Sequence, residues 1–112
     1  MSIKYSSQVT LEITRADNQI TVLLSPDSDT AKDVVVYSYQ AYADLNPGAT
    51  IDLTSILGFA GGSGKLVFIG SNFAGPGHFA FSIKSDEGGS WSIDEGMDLW
   101  TSKQWTVDIE KV

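Results

Sequence analysis

Alternation with a period of two runs through most of this chain and commits it to β-structure. Val9, Leu11 and Ile13 alternate with Thr10, Glu12 and Thr14. Phe79, Phe81 and Ile83 alternate with His78, Ala80, Ser82 and Lys84, and Trp105, Val107 and Ile109 with Thr106, Asp108 and Glu110. On a pleated strand each set puts apolar groups on one face and polar groups on the other. Three further runs, "ITVLL" (20–24), "VVVYSYQAY" (34–42) and "LVFI" (66–69), are denser in apolar residues and read as central strands covered on both faces.

Turn chemistry separates these runs. "RADNQ" (15–19) reads as a short hairpin in which Asp17-Asn18 tolerates left-handed φ. "SPDSDTAKD" (25–33), "NPGA" (46–49), "GSNFAGPG" (70–77) and "SDEGGS" (85–90) read as loops. "LTSILGF" has room for one helical turn and no more. Seven or eight strands over 112 residues predict a single domain, residues 1–112, with an all-β fold: an antiparallel β-sandwich of the jelly-roll kind. A chain of this length buries about 65% of its unfolded surface and needs no staples.

The Gly-rich run "GFAGGSGKLVF" (58–68) raises the question of phosphate binding. A phosphate-cradling loop needs a glycine five positions before Gly64-Lys65, and Phe59 stands there. Leu66 replaces the magnesium-binding hydroxyl, and an apolar strand follows where a helix N-terminus should supply amide groups. The run is a flexible connection entering a buried strand.

Charge narrows the partners. Fourteen acidic against seven basic residues give a net charge of −7, which argues against a nucleic-acid surface and against attraction to anionic lipid. No run approaches the roughly 20 apolar residues of a membrane span. The N-terminal sequence has no signal-peptide core, so a cytoplasmic protein, or one released without a classical signal peptide, is expected. The absence of cysteine removes disulfides, thiol nucleophiles and thiolate metal sites.

Catalytic residues are scarce. The single histidine, His78, lies on the polar face of its strand, and no G-x-S-x-G elbow accompanies it. A non-enzyme is therefore expected. Oxygen ligands for calcium are better supplied: Asp86, Glu87, Asp94, Glu95 and Asp98 fall within 13 residues beside Gly88, Gly89 and Gly96. Of these, Asp94, Glu95 and Asp98 are the expected metal ligands. The spacing is not that of an EF-hand, and no cofactor is required. Asp27, Asp29 and Asp33 form a second acidic cluster.

The segment from Ala16 to Lys84 resembles the galactose-binding-like jelly-roll modules of lectins and carbohydrate-binding domains. The likeness lies in "ADNQITVLL", the aromatic strand "VVYSYQAY", "PGATIDLTSIL", "KLVFIGSN" and "GPGHFAFSI". The chain departs from that family in carrying "SPDSD" where an Asn-Gly hairpin usually stands. The resemblance implies sugar binding and no catalysis.

Sugar recognition needs a flat aromatic face and fixed hydrogen-bonding groups beside it. The second half of the chain offers Trp91 and Trp100 as faces, with Asn72, His78, Asp94 and Asp98 as polar partners. Trp105 fits the inward stripe of its strand, and Trp91 with Ile93 suits either role. Tyr37, Tyr39 and Tyr42 either line a concave sheet face or, for Tyr37 and Tyr39, join the core with Val35 and Ala41. The expected partner is thus a carbohydrate, engaged by a homo-oligomer that gains through multivalency. The alternative is a protein-interaction or assembly protein, such as an acidic inhibitor, an immunity protein or a structural subunit, using an exposed strand edge or the acidic loops.

Overall fold

The computed structural model describes residues 2–27 and 32–112. Asp29 of the second acidic cluster lies outside the described residues. Within them the chain forms nine strands and one short helix: β1 (Ser2–Tyr5), β2 (Val9–Ala16), β3 (Gln19–Pro26), β4 (Val34–Gln40), β5 (Ala49–Asp52), α1 (Leu53–Phe59), β6 (Gly64–Asn72), β7 (Gly77–Ser85), β8 (Ser90–Met97) and β9 (Thr101–Lys111). The strands make a two-sheet sandwich. One sheet runs β1-β9-β6-β3-β4 and the other β5-β2-β7-β8. All pairings are antiparallel except β1 with β9, which is parallel. The pairings of β2 with β7 and β3 with β6 are nested, as in a roll.

The period-two stripes meet between the sheets. Val9, Leu11 and Ile13 of β2 face Leu66 and Phe68 of β6 and Trp105, Val107 and Ile109 of β9, all nearly or fully buried. Phe68 from one sheet stacks on Phe81 from the other, with ring centroids 4.4 Å apart. Fully burying side chains of this size contributes roughly 1.5–3 kcal/mol each, so the aromatic contact between sheets is a principal stabilising feature. Gly70 makes room for it: a Cβ there would lie 2.9 Å from ring atoms of both Phe79 and Trp105. A β-bulge between Ile13 and Arg15 changes the phase of β2, so Ala16 faces the core and Arg15 does not.

Four expectations are corrected. The strand count is nine, because the short β1 adds to one sheet by pairing with β9. The "RADNQ" segment is not a hairpin: β2 and β3 lie in different sheets, and neither Asp17 nor Asn18 has positive φ. The helix is longer than one turn. Asp52 caps it by accepting from the Thr54 N–H at 2.9 Å, and Leu53 and Leu57 bury one face. Its end is closed by the N–H groups of Ala60 and Gly62 donating to the Leu57 carbonyl, with Gly61 and Gly62 at φ of +88° and +96°. The glycine run is therefore a helix exit that feeds β6, and a strand stands where a phosphate loop needs a helix N-terminus.

The fourth correction concerns covering. β4 is a sheet edge, and Val34 and Val35 are exposed. On the outer face of that sheet Val35, Leu23 and Val67 stand in one cross-strand row, with Leu23 and Val67 only half-buried. Apolar density in these strands reflects an uncovered outer face as well as the core. No helix among the described residues is long and apolar enough to cross a membrane.

Candidate functional site

Register places four connections at one end of the sandwich. Ala16 stands beside Phe79, Gln19 beside Gln40 and Ser71, Ile13 beside Ala49, Asn72 beside Thr101, and Gly77 beside Met97. Segments 17–18, 41–48, 73–76 and 98–100 therefore converge there.

Two buried asparagines stitch these segments together. Asn18 is 1% exposed, and its Oδ1 accepts from the N–H groups of Phe73 at 3.0 Å and Ala74 at 2.9 Å. Its own N–H donates to the Ser71 carbonyl, and its carbonyl accepts from Ala41. Asn72, equally buried, donates from Nδ2 to the carbonyls of Gly75 at 2.7 Å and Met97 at 2.9 Å. Its carbonyl accepts the N–H of Trp100 at 2.7 Å. The amide side chain suits this work because it carries donors and an acceptor at once. Asp17, also buried, pairs with Arg15 at 3.6 Å.

This stitched frame presents apolar rings to water. Trp100 is 76% exposed and Tyr42 73%. Tyr42 meets Phe73 edge-on at 5.4 Å, which links segments 41–48 and 73–76 at the surface. Trp100 is also the only non-glycine among the described residues with positive φ, at +63°. That conformation costs a bulky side chain about 1–2 kcal/mol. It persists because the Asn72 carbonyl and the bond from Thr101 Oγ1 to the Asp98 carbonyl hold the turn on both sides. Next to it a hollow of about 300 Å³ is lined by Gly75, Pro76, Met97, Asp98 and Leu99. An indole face, a carboxylate and a shallow depression thus share one loop.

The remaining expected site residues fall in three places. His78 Nε2 bonds Asp94 Oδ1 across β7 and β8 on the outer sheet face, next to the Gly77–Met97 pair that borders the hollow. Glu95 points the other way, because successive strand residues face opposite sides. It accepts from Lys103 Nζ and from Trp105 Nε1 at 3.1 Å, and the Lys103 bond holds its carboxyl below the usual range. Trp91 sits opposite Ile83, six residues up β8 from Met97, so about 20 Å from the loop end. Its ring packs on Phe68 and Phe81, as the core reading of this residue has it.

The metal trio is not assembled. Asp94 and Glu95 diverge across the sheet while Asp98 lies on the loop, and among the described residues no three His, Asp or Glu side chains gather as a metal-holding group. Asp86 is engaged otherwise: it accepts from the Ser6 and Ser7 hydroxyls at 2.6 and 2.8 Å and from the N–H groups of Ser6, Ser7 and Gln8. Those bonds, the hydroxyls foremost, lower its pKa strongly. It ties the β1–β2 connection to the β7–β8 turn.

The sequence reads Asn72 as a sugar contact, yet its side-chain amide is committed to loop carbonyls. Asn18, Phe73 and Leu99 belong to this end as well, and the sequence reading does not find them. A paired Asn in "ADNQ" and "GSNF", each at a strand end, was the available signal. No family model, curated protein or solved structure matches this chain.

Proposed function

We propose that this chain is a non-catalytic binding protein of the lectin kind that takes carbohydrate at its stitched loop end. The observation that supports this reading is Trp100: a largely exposed indole held in a costly backbone conformation by fixed partners. The main chain that carries the ring is pre-organised, so stacking a pyranose on it orders little further backbone. Asp98 on the same loop, and the His78–Asp94 pair beside the hollow, supply hydrogen-bonding groups for neighbouring hydroxyls. Asn72 acts as a positioning residue, not a contact. Single shallow sites of this kind bind weakly, and a homo-oligomer raises their avidity.

The test is a glycan array with wild-type protein and Trp100→Ala, each with calcium and with chelator. This reading expects a related set of bound glycans for the wild type and their loss in the variant at unchanged melting temperature. Loss on chelation would add a metal to the site. A second reading, an assembly protein, is favoured by the uncharged free edge of β4.

A further inference from the structure

The loop end carries a second exposed ring on a separate mount. Tyr42, 73% exposed, stands on segment 41–48, whereas Trp100 stands on segment 98–100. β9, β6, β3 and β4 are consecutive neighbours in one sheet. Trp100 precedes β9 and Tyr42 follows β4, so their main-chain anchors stand three strand spacings apart, roughly 14 Å at about 4.8 Å each. Phe73, which follows β6, lies between them. Its ring meets Tyr42 at 5.4 Å, and its neighbour Asn72 binds the Trp100 N–H. The three aromatics follow one another across the end of the sandwich.

The fixed amides between these rings face inward. Asn18 Oδ1 accepts from Phe73 and Ala74, and its Nδ2 donates to the Ala41 carbonyl at 3.5 Å. Asn72 commits Nδ2 to Gly75 and Met97, and its Oδ1 accepts from the Ala74 N–H at 3.3 Å. A site that hydrogen-bonds a ligand hydroxyl discriminates strongly, and an apolar contact does so weakly. With both amides used inside the frame, most of what faces water is aromatic, and affinity accumulates ring by ring. A single pyranose covers one ring, whereas a chain reaches two.

Charge narrows the chain further. Segments 17–18, 41–48, 73–76 and 98–100 hold Asp17, Asp44 and Asp98 and no Lys, Arg or His. Arg15, at the end of β2, is paired with Asp17. Sulfate esters and the carboxylates of acidic sugars would meet like charge here. Resting on the carbohydrate reading above, we propose that the ligand is an uncharged linear oligosaccharide of three or more units, laid across the loop end from Trp100 to Tyr42.

Isothermal titration with neutral linear oligosaccharides of one to six units, from the glucan, xylan, mannan and chitin series, tests it, with sulfated and uronic-acid chains alongside. Affinity is expected to rise about tenfold between the disaccharide and the tetrasaccharide of the bound series, the order of one added aromatic contact. Tyr42→Ala is expected to abolish that rise at unchanged Tm, and Tyr42→Phe to keep it. Binding that depends on Trp100 but does not rise with chain length, a rise that survives Tyr42→Ala, or a preference for the charged chains would overturn the proposal and leave the carbohydrate reading standing. So would a protein that ignores all these chains and binds only terminal sugars of branched glycans on the array. A wild-type protein that binds no glycan of any kind overturns both.

Discussion

The main-chain N–H of Trp100 donates to the carbonyl of Asn72 at 2.7 Å, while the Asn72 side chain donates to Met97 at 2.9 Å. One buried residue thus holds both sides of the loop that displays the most exposed tryptophan.

Asn72→Ala removes both side-chain donors and leaves the Gly75 and Met97 carbonyls without them. Unfolding free energy is expected to fall by about 2–4 kcal/mol, enough to lower Tm by roughly 10 °C. Urea titration checks the first figure. Glycan binding should weaken even at temperatures where the variant is fully folded, because the Met97 side of the loop that carries Trp100 loses its tether while the main-chain bond to Trp100 stays.

Trp100 should be separable from stability. Trp100→Ala keeps a Cβ in a left-handed conformation, whereas Trp100→Gly does not. The glycine variant is expected to be more stable than the alanine variant by about 1 kcal/mol. Equal stabilities by chemical denaturation would mean that the turn is not strained.

Gly70→Ala places a methyl group 2.9 Å from Phe79 and Trp105. Overpacking of this kind costs about 1–3 kcal/mol. A shift in Trp105 fluorescence should accompany the loss, since the ring must move.

Acid should act through Asp86. Its carboxyl is held below its ordinary value by the Ser6 and Ser7 hydroxyls and then by main-chain N–H groups. A depressed folded pKa contributes stability that is present above the unfolded value, near 4, and is lost as pH falls below it toward the folded value. Wild-type Tm is therefore expected to decline from about pH 4 downward. Asp86→Asn should melt lower at pH 7 and decline less steeply over that acid range.

The strands were legible because each needs only its own alternation, as in Phe79, Phe81 and Ile83. Long-range facts were not. β1 is four residues, "SIKY", too short for a period to register, and it is fixed by pairing with β9 over a hundred residues away. Asp17-Asn18 looked like hairpin chemistry because local composition does not say which sheet the next strand joins. The same holds for the site. Trp100 was recognisable as an aromatic in a polar loop. The role of Asn72 was not, since its partners Met97 and Trp100 come near only when β6 pairs with β9 and β7 with β8. Asp94, Glu95 and Asp98 are close in sequence, but the pleat of β8 sends the first two to opposite faces.

The most direct test of the central claim is the comparison of wild-type and Trp100→Ala protein on the same glycan array, with melting curves for both. Binding that disappears in the variant while Tm stays within a degree or two places recognition on the loop end. A wild-type protein that binds no glycan, or a variant that binds as well as the wild type, contradicts it.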